Sequence, residues 1–148
     1  MTRKTNQAGI DLLKFYEGLK LTAYKDIVGK LTIGYGHTGN DVTPDQNITE
    51  SQATLLLEAD LAKFESGVNS LLTGAPISDN AFSALVSFSF NLGLHSLAGS
   101  TLLKFINKNQ LLPAADQFFQ WCHAGGKSVP GLIARRRAER DLFLRVTV

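Results

Sequence analysis

The sequence predicts an α+β chain, mainly α-helical and bilobal, in which a small hairpin-bearing lobe, a long connecting helix and a helical lobe form a single domain. Three observations carry this. Short β-type runs broken by glycines lie between Leu21 and Thr38, a capping pattern at Thr49 opens a long apolar stripe, and helical periodicity dominates the chain after it. With 148 residues, 44% of them apolar and 19% charged, the chain can bury a core without metals or disulfides and is unlike a disordered protein. The small lobe is expected over about residues 18–60, and the helical lobe over about 61–148 together with the N-terminal helix.

From Gln7 to about Lys20, Ile10, Leu13 and Glu17 share one side, and Leu12, Phe15, Tyr16 and Leu19 widen the apolar surface. This first helix should stop near Gly18, which places Glu17 in its last turn. Leu21, Ala23-Tyr24, Ile27-Val28, Leu31-Thr32-Ile33 and Tyr35 then read as a small hairpin sheet turning at Gly29-Lys30. Thr49-Glu50-Ser51-Gln52, with Ile48 before it, has the form of a capping box and hydrophobic staple. The stripe Ala53, Leu56, Leu57, Leu61, Phe64 and Val68 carries that helix to about Leu72, before Gly74 and Pro76. Ser78 or Asp79 should cap a central helix rich in phenylalanine that stops at Asn91-Leu92-Gly93. Shorter helices are expected over about Gly99 to Asn107 and Pro113 to His123. A Gly125-Gly126 loop then leads to a last helix over about Gly131 to Phe143. Where the two lobes meet, a cleft is the expected place for a ligand.

Composition excludes several classes of function. The single cysteine, Cys122, forbids an intramolecular disulfide, and among Phe118, Phe119 and Trp121 it reads as a buried, inert thiol. His95 and His123 lack spaced Cys, His or carboxylate partners, so no metal is expected, and no cofactor motif is present. The N-terminal stretch is interrupted by Asp11, Lys14 and Glu17, so neither a signal peptide nor a transmembrane segment is expected. The formal net charge is +2, but from Lys127 onward six Lys or Arg face Glu139 and Asp141, a local excess of four positive charges. Arg135, Arg136, Arg137, Arg140 and Arg145 are therefore candidates to attract anionic envelope polymers. The competing reading is structural: Arg136 and Arg140 are spaced i, i+4, and Glu139 lies within reach of Arg135.

Chemistry concentrates in the first third of the chain. Acid-catalysed glycoside cleavage needs a protonated carboxyl to donate to the leaving oxygen and a second, ionised group on the other side of the bond. Glu17, at a helix end near its apolar side, suits the first role, and Asp26, in a more polar hairpin, suits the second. Antiparallel pairing about Gly29 puts Thr32 about opposite Asp26, where its hydroxyl can help position water. The Glu, eight residues, Asp, five residues, Thr spacing of Glu17, Asp26 and Thr32 resembles the phage-type lysozymes, glycoside hydrolase family 24. The flanking words Tyr24-Lys25-Asp26 and Thr32-Ile33-Gly34-Tyr35-Gly36-His37-Thr38 extend the likeness. So do Phe88-Ser89-Phe90-Asn91-Leu92-Gly93, Ser100-Thr101-Leu102-Leu103 and Gly125-Gly126-Lys127 with the arginines after it.

That resemblance implies a lysozyme-like fold and an endolysin that hydrolyses the β-1,4 bond between N-acetylmuramic acid and N-acetylglucosamine in peptidoglycan. It implies Glu17 as proton donor, and Asp26 as base or as stabiliser of positive charge at the sugar carbon. Tyr24, Tyr35, His37 and Asn91 are candidates to touch substrate; packing is the competing role for the tyrosines, structural hydrogen bonding for His37 and helix termination for Asn91. The expected protein is a monomer that binds no nucleic acid. It would be made in the cytoplasm of a phage host and reach the wall when a separate holin-like protein releases it. Two other readings compete: a lytic transglycosylase, and a cationic wall- or membrane-binding protein acting through the basic C-terminal helix.

Overall fold

The structure, a computed structural model, describes residues 3–145. These form two compact units, one of residues 13–62 and the other of residues 3–12 and 63–145.

The first unit takes in the end of α1 (Gln7–Glu17), a three-stranded antiparallel sheet and the opening turns of α2 (Glu50–Leu71). The sheet runs β1 (Lys20–Lys25), β2 (Leu31–Gly34), β3 (His37–Thr38), in that order. Strand β2 is its buried member, with Ile33 fully enclosed, and Leu13, Ala53, Leu57 and Leu61 of the same unit are buried as well, whereas β1 is mostly exposed. The free edge of β1 is not left open: Ala23 N–H donates to Gln46 O and Ile48 N–H to Leu21 O, so the segment before α2 pairs along it. Helix α2 starts as the sequence predicts. Thr49 Oγ1 accepts from Gln52 N–H at 3.1 Å, and Gln52 Oε1 accepts from Thr49 N–H at 2.8 Å, a complete capping box.

The second unit is helical. Helix α3 (Asp79–Leu92) is capped by Ser78, whose side chain accepts from Ala81 N–H, and its residues from Asn80 to Ser89 are all buried. It packs against α7 (Pro130–Leu144). Phe88, Phe118, Trp121 and Phe143 interlock edge to face around it. The intervening chain forms α4 (Leu94–Ala98), α5 (Thr101–Asn107), α6 (Leu111–Gln117) and a 3-10 turn over Phe118–Trp121. Helix α4 is not foreseen: five residues between two glycines are too few to show a period. Where the sequence predicts a loop at Gly125-Gly126, a small hairpin forms from β4 (His123–Ala124) and β5 (Lys127–Ser128), so His123 leaves the helix expected to hold it.

The basic C-terminal helix is corrected by its burial. Arg135 is 4% exposed and Arg136 fully buried, so neither can hold an envelope polymer. Both converge on buried Glu139, which also accepts from Ser87 Oγ at 2.6 Å. Arg136 Nε comes within 2.8 Å of Glu139 Oε1, off the N–H direction, so charge and not hydrogen-bond geometry holds that contact. Burial pushes the Glu139 carboxyl up, against the pull of both guanidiniums. Arg140 pairs with Asp141 and lies over the Phe119 ring, which leaves Arg137 and Arg145 as the exposed arginines of the set.

Candidate active site

Glu17 is the last residue of α1, whose final turns are anchored by fully buried Leu13. Gly18 ends the helix in a left-handed conformation, φ 75°, with its N–H donating to Lys14 O. The Glu17 side chain is half-buried, and the backbone of Gly36 comes close to it. A Cβ built on Gly36 would lie 3.6 Å from Glu17 Oε1, and Gly36 itself has φ 86°. A Cβ there would make only ordinary contact with the carboxyl, so it is the left-handed backbone of the β2–β3 turn, and not the space beside Glu17, that calls for glycine at residue 36.

Asp26 lies in the turn after β1 and not in the strand. Its Oδ1 accepts from Val28 N–H at 3.0 Å and from Lys30 N–H at 2.8 Å, while its carbonyl accepts from Gly29 N–H. The carboxylate thus organises its own loop. Among the described residues Oδ2 has no partner, so one oxygen is held and the other is available.

Pairing across the hairpin differs from the expected register. Thr32 pairs with Tyr24 and Leu31 with Lys25, while Asp26 stands across from Lys30. The turn spans Asp26 to Lys30 instead of closing at Gly29-Lys30, and a separate register shift follows between Lys20 and Tyr24, farther from the turn. Thr32 is therefore a diagonal neighbour of Asp26 and remains on its face of the hairpin. It is buried, and its hydroxyl donates to Lys30 O at 3.0 Å and not to Asp26. Its lone pairs remain able to accept from water.

The other sequence-named residues divide. Tyr24 is 40% exposed beside Thr32, whereas Tyr35 is 5% exposed, with Lys14 Nζ lying over its ring. His37 is fixed on both sides, Nδ1 to Asp60 at 2.8 Å and Nε2 to Asp41 at 2.9 Å. Asn91 lies in the other unit, where its Oδ1 accepts from Arg136 at 2.8 Å. Cys122 is buried and donates to Phe119 O. Among the described residues no group of His, Cys, Asp and Glu could hold a metal. Sequence reasoning missed Asp41 and Asp60. The i, i+4 spacing of His37 and Asp41 could have suggested the first; Asp60 comes from α2 and carries no local signal.

A family model described as phage lysozyme matches residues 14–139, spanning Glu17, Asp26 and Thr32. The chain belongs to the phage lysozyme family. Its relatives include the endolysin of Bacillus phage B103, 46% identical over 141 residues, which cover 94% of this chain and 53% of that protein. The chain spans about half the length of the Bacillus phage endolysins it matches. Among solved structures, the muramidase domain of SpmX from Asticaccaulis excentricus superposes with a TM-score of 0.89 at 34% identity, covering 97% of this chain and 99% of that one. A P22 lysozyme variant matches with a TM-score of 0.89 at 39% identity over the same shares of the two chains. The lysozyme fold predicted from the sequence is thus the fold of the family.

Proposed function

We propose that this chain is a bacteriolytic muramidase that hydrolyses the β-1,4 bond between N-acetylmuramic acid and N-acetylglucosamine in peptidoglycan. The observation that carries the reading is the unequal treatment of two carboxyl groups in one compact unit. Glu17 is half-buried against the bare backbone of Gly36, and Asp26 has one oxygen fixed by loop amides and the other open. Glu17 donates its proton to the leaving glycosidic oxygen. Water held by Asp26 Oδ2 and the Thr32 hydroxyl oxygen attacks the sugar carbon, and Asp26 takes up the water proton. Exposed Tyr24, beside Thr32 on the same face, lies along the sugar path. In the cell, a separate membrane-permeabilising protein gives the enzyme access to the wall.

Clearing of purified peptidoglycan tests the reading. The wild type should clear it, and Glu17→Gln should lower the rate by about 10²- to 10⁴-fold, the usual contribution of general acid catalysis. Mass spectrometry of the digest should find reducing muramic acid ends. Undiminished clearing by Glu17→Gln, or anhydro ends in place of reducing ones, would refute it. Lysis of cells expressing this chain alone would refute the release partner without touching the chemistry.

A further inference from the structure

The hairpin has a second face. Side chains alternate along a strand, so the Lys25–Leu31 pair points away from the Tyr24–Thr32 pair. On the Lys25 side lies an open concavity of about 640 Å³, lined by Lys25, Lys30, Leu31 and Asn40, with Gly29, Gly39 and buried Val42 completing it. Neither lysine ammonium makes an ion pair or hydrogen bond among the described residues, and the Asn40 amide is likewise unbonded. Among the described residues no acid lines the concavity. The nearby carboxylates are committed elsewhere, Asp41 to His37 and Asp26 through Oδ1 to the loop amides. Two unpaired cations and a free amide around one hollow are complementary to an anion.

The hollow is joined to Asp26 through the turn. Lys30 N–H donates to Asp26 Oδ1 at 2.8 Å and Gly29 N–H to Asp26 O at 2.9 Å, so two lining residues touch the aspartate directly. We infer that this concavity is a subsite for the peptide branch of the wall polymer, binding its free carboxylates through Lys25, Lys30 and Asn40. The inference rests on the proposed muramidase reading. A glycan running along the Thr32 face is uncharged, and its anionic part is the peptide carried on muramic acid. A branch leaving a sugar at Asp26 need only round the turn to reach both ammonium groups.

The test compares soluble glycan strands that bear their peptides with strands from which an amidase has removed them. The double variant Lys25→Ala, Lys30→Ala should raise KM on peptide-bearing strands about fivefold, equivalent to about 1 kcal/mol from two solvent-exposed pairs. On stripped strands its KM, and on both substrates its kcat, should match the wild type. Lys25→Arg, Lys30→Arg should restore binding, and the fivefold difference should shrink in high salt. An equal effect on both substrates, or none on either, would overturn the subsite. A wild type that cleaves neither substrate would instead defeat the muramidase reading. NMR titration with the free tetrapeptide then still reads the hollow: shifts at Lys25, Lys30 and Asn40 that vanish in the double alanine variant support it, and no shifts overturn it. Anionic phospholipid vesicles form the control arm, and lysine-dependent binding to them with no response to the tetrapeptide would likewise overturn the proposal.

Discussion

In the proposed mechanism Asp26 carries two tasks that substitution can separate. Its Oδ1 accepts two loop amides, a task that the carbonyl oxygen of asparagine also performs, whereas Oδ2 and the negative charge are left for chemistry. Asp26→Asn should therefore keep the turn and the melting temperature close to wild type while peptidoglycan hydrolysis falls by about 10²-fold or more. Asp26→Ala should lose both, with about 1 kcal/mol of stability going with the two lost loop hydrogen bonds, whose exposed amides turn to water. Urea unfolding beside a clearing assay distinguishes the cases, and an active asparagine variant would limit Asp26 to holding its loop. That Asp26 and Thr32 are neighbours on one hairpin was legible in the sequence, but their register was not. A turn of Asp26 to Lys30 moves Thr32 from Asp26 to Tyr24, and that turn has no marker in the residue types. The same limit applies to Arg135 and Arg136, since an arginine spaced for a surface ion pair looks identical in sequence to one buried against Glu139.

At the scale of elements, the close approach of α1 to α3 yields a prediction that helix propensity alone would reverse. Gly9 faces Ser83, and a Cβ there would stand 2.7 Å from Ser83 Cβ and 2.6 Å from Thr5 Cγ2. The contact is tied on either side, by Asn6 N–H donating to Ser83 Oγ at 2.9 Å and by Thr5 donating through N–H and Oγ1 to Glu65. Alanine in a helix interior gains about 1 kcal/mol over glycine, but Ser83 Cβ is fixed to its own helix and cannot yield. Gly9→Ala should therefore destabilise the protein by about 1–3 kcal/mol in urea unfolding, and a more stable variant would contradict the packing. Elements announced by local chemistry were readable in advance: the Thr49–Gln52 box, the Ser78 cap and the Gly93 stop all fall where predicted. Elements too short to show a period were not, among them five-residue α4 and the two-residue strands β4 and β5.

Charge and pH act on the molecule as a whole, and His37 is where their effect can be measured. Burial alone would lower its pKa, but hydrogen bonds and charge from Asp60 and Asp41 outweigh that and raise it above the ordinary 6.5. A carboxylate on each ring nitrogen is satisfied by the imidazolium, which donates from both. A group whose pKa is raised on folding stabilises fully below its unfolded value and loses that contribution as pH rises through the folded one. Asp41 runs the opposite way: the hydrogen bond from His37 lowers its pKa below 3.8, so its contribution is present above that value and fades as pH falls. Both contributions coexist between about pH 4.5 and 6, and the His37 part declines on the alkaline side. His37→Gln should therefore cost about 1–2 kcal/mol near pH 5.5 and progressively less toward pH 9. Urea unfolding of both proteins across that range supplies the difference, and NMR titration of the His37 ring should place its midpoint above 6.5. A stability difference that stays flat from pH 5 to 9 would mean that the ring is held as a neutral packing residue, with Asp60 and Asp41 contributing shape and not charge.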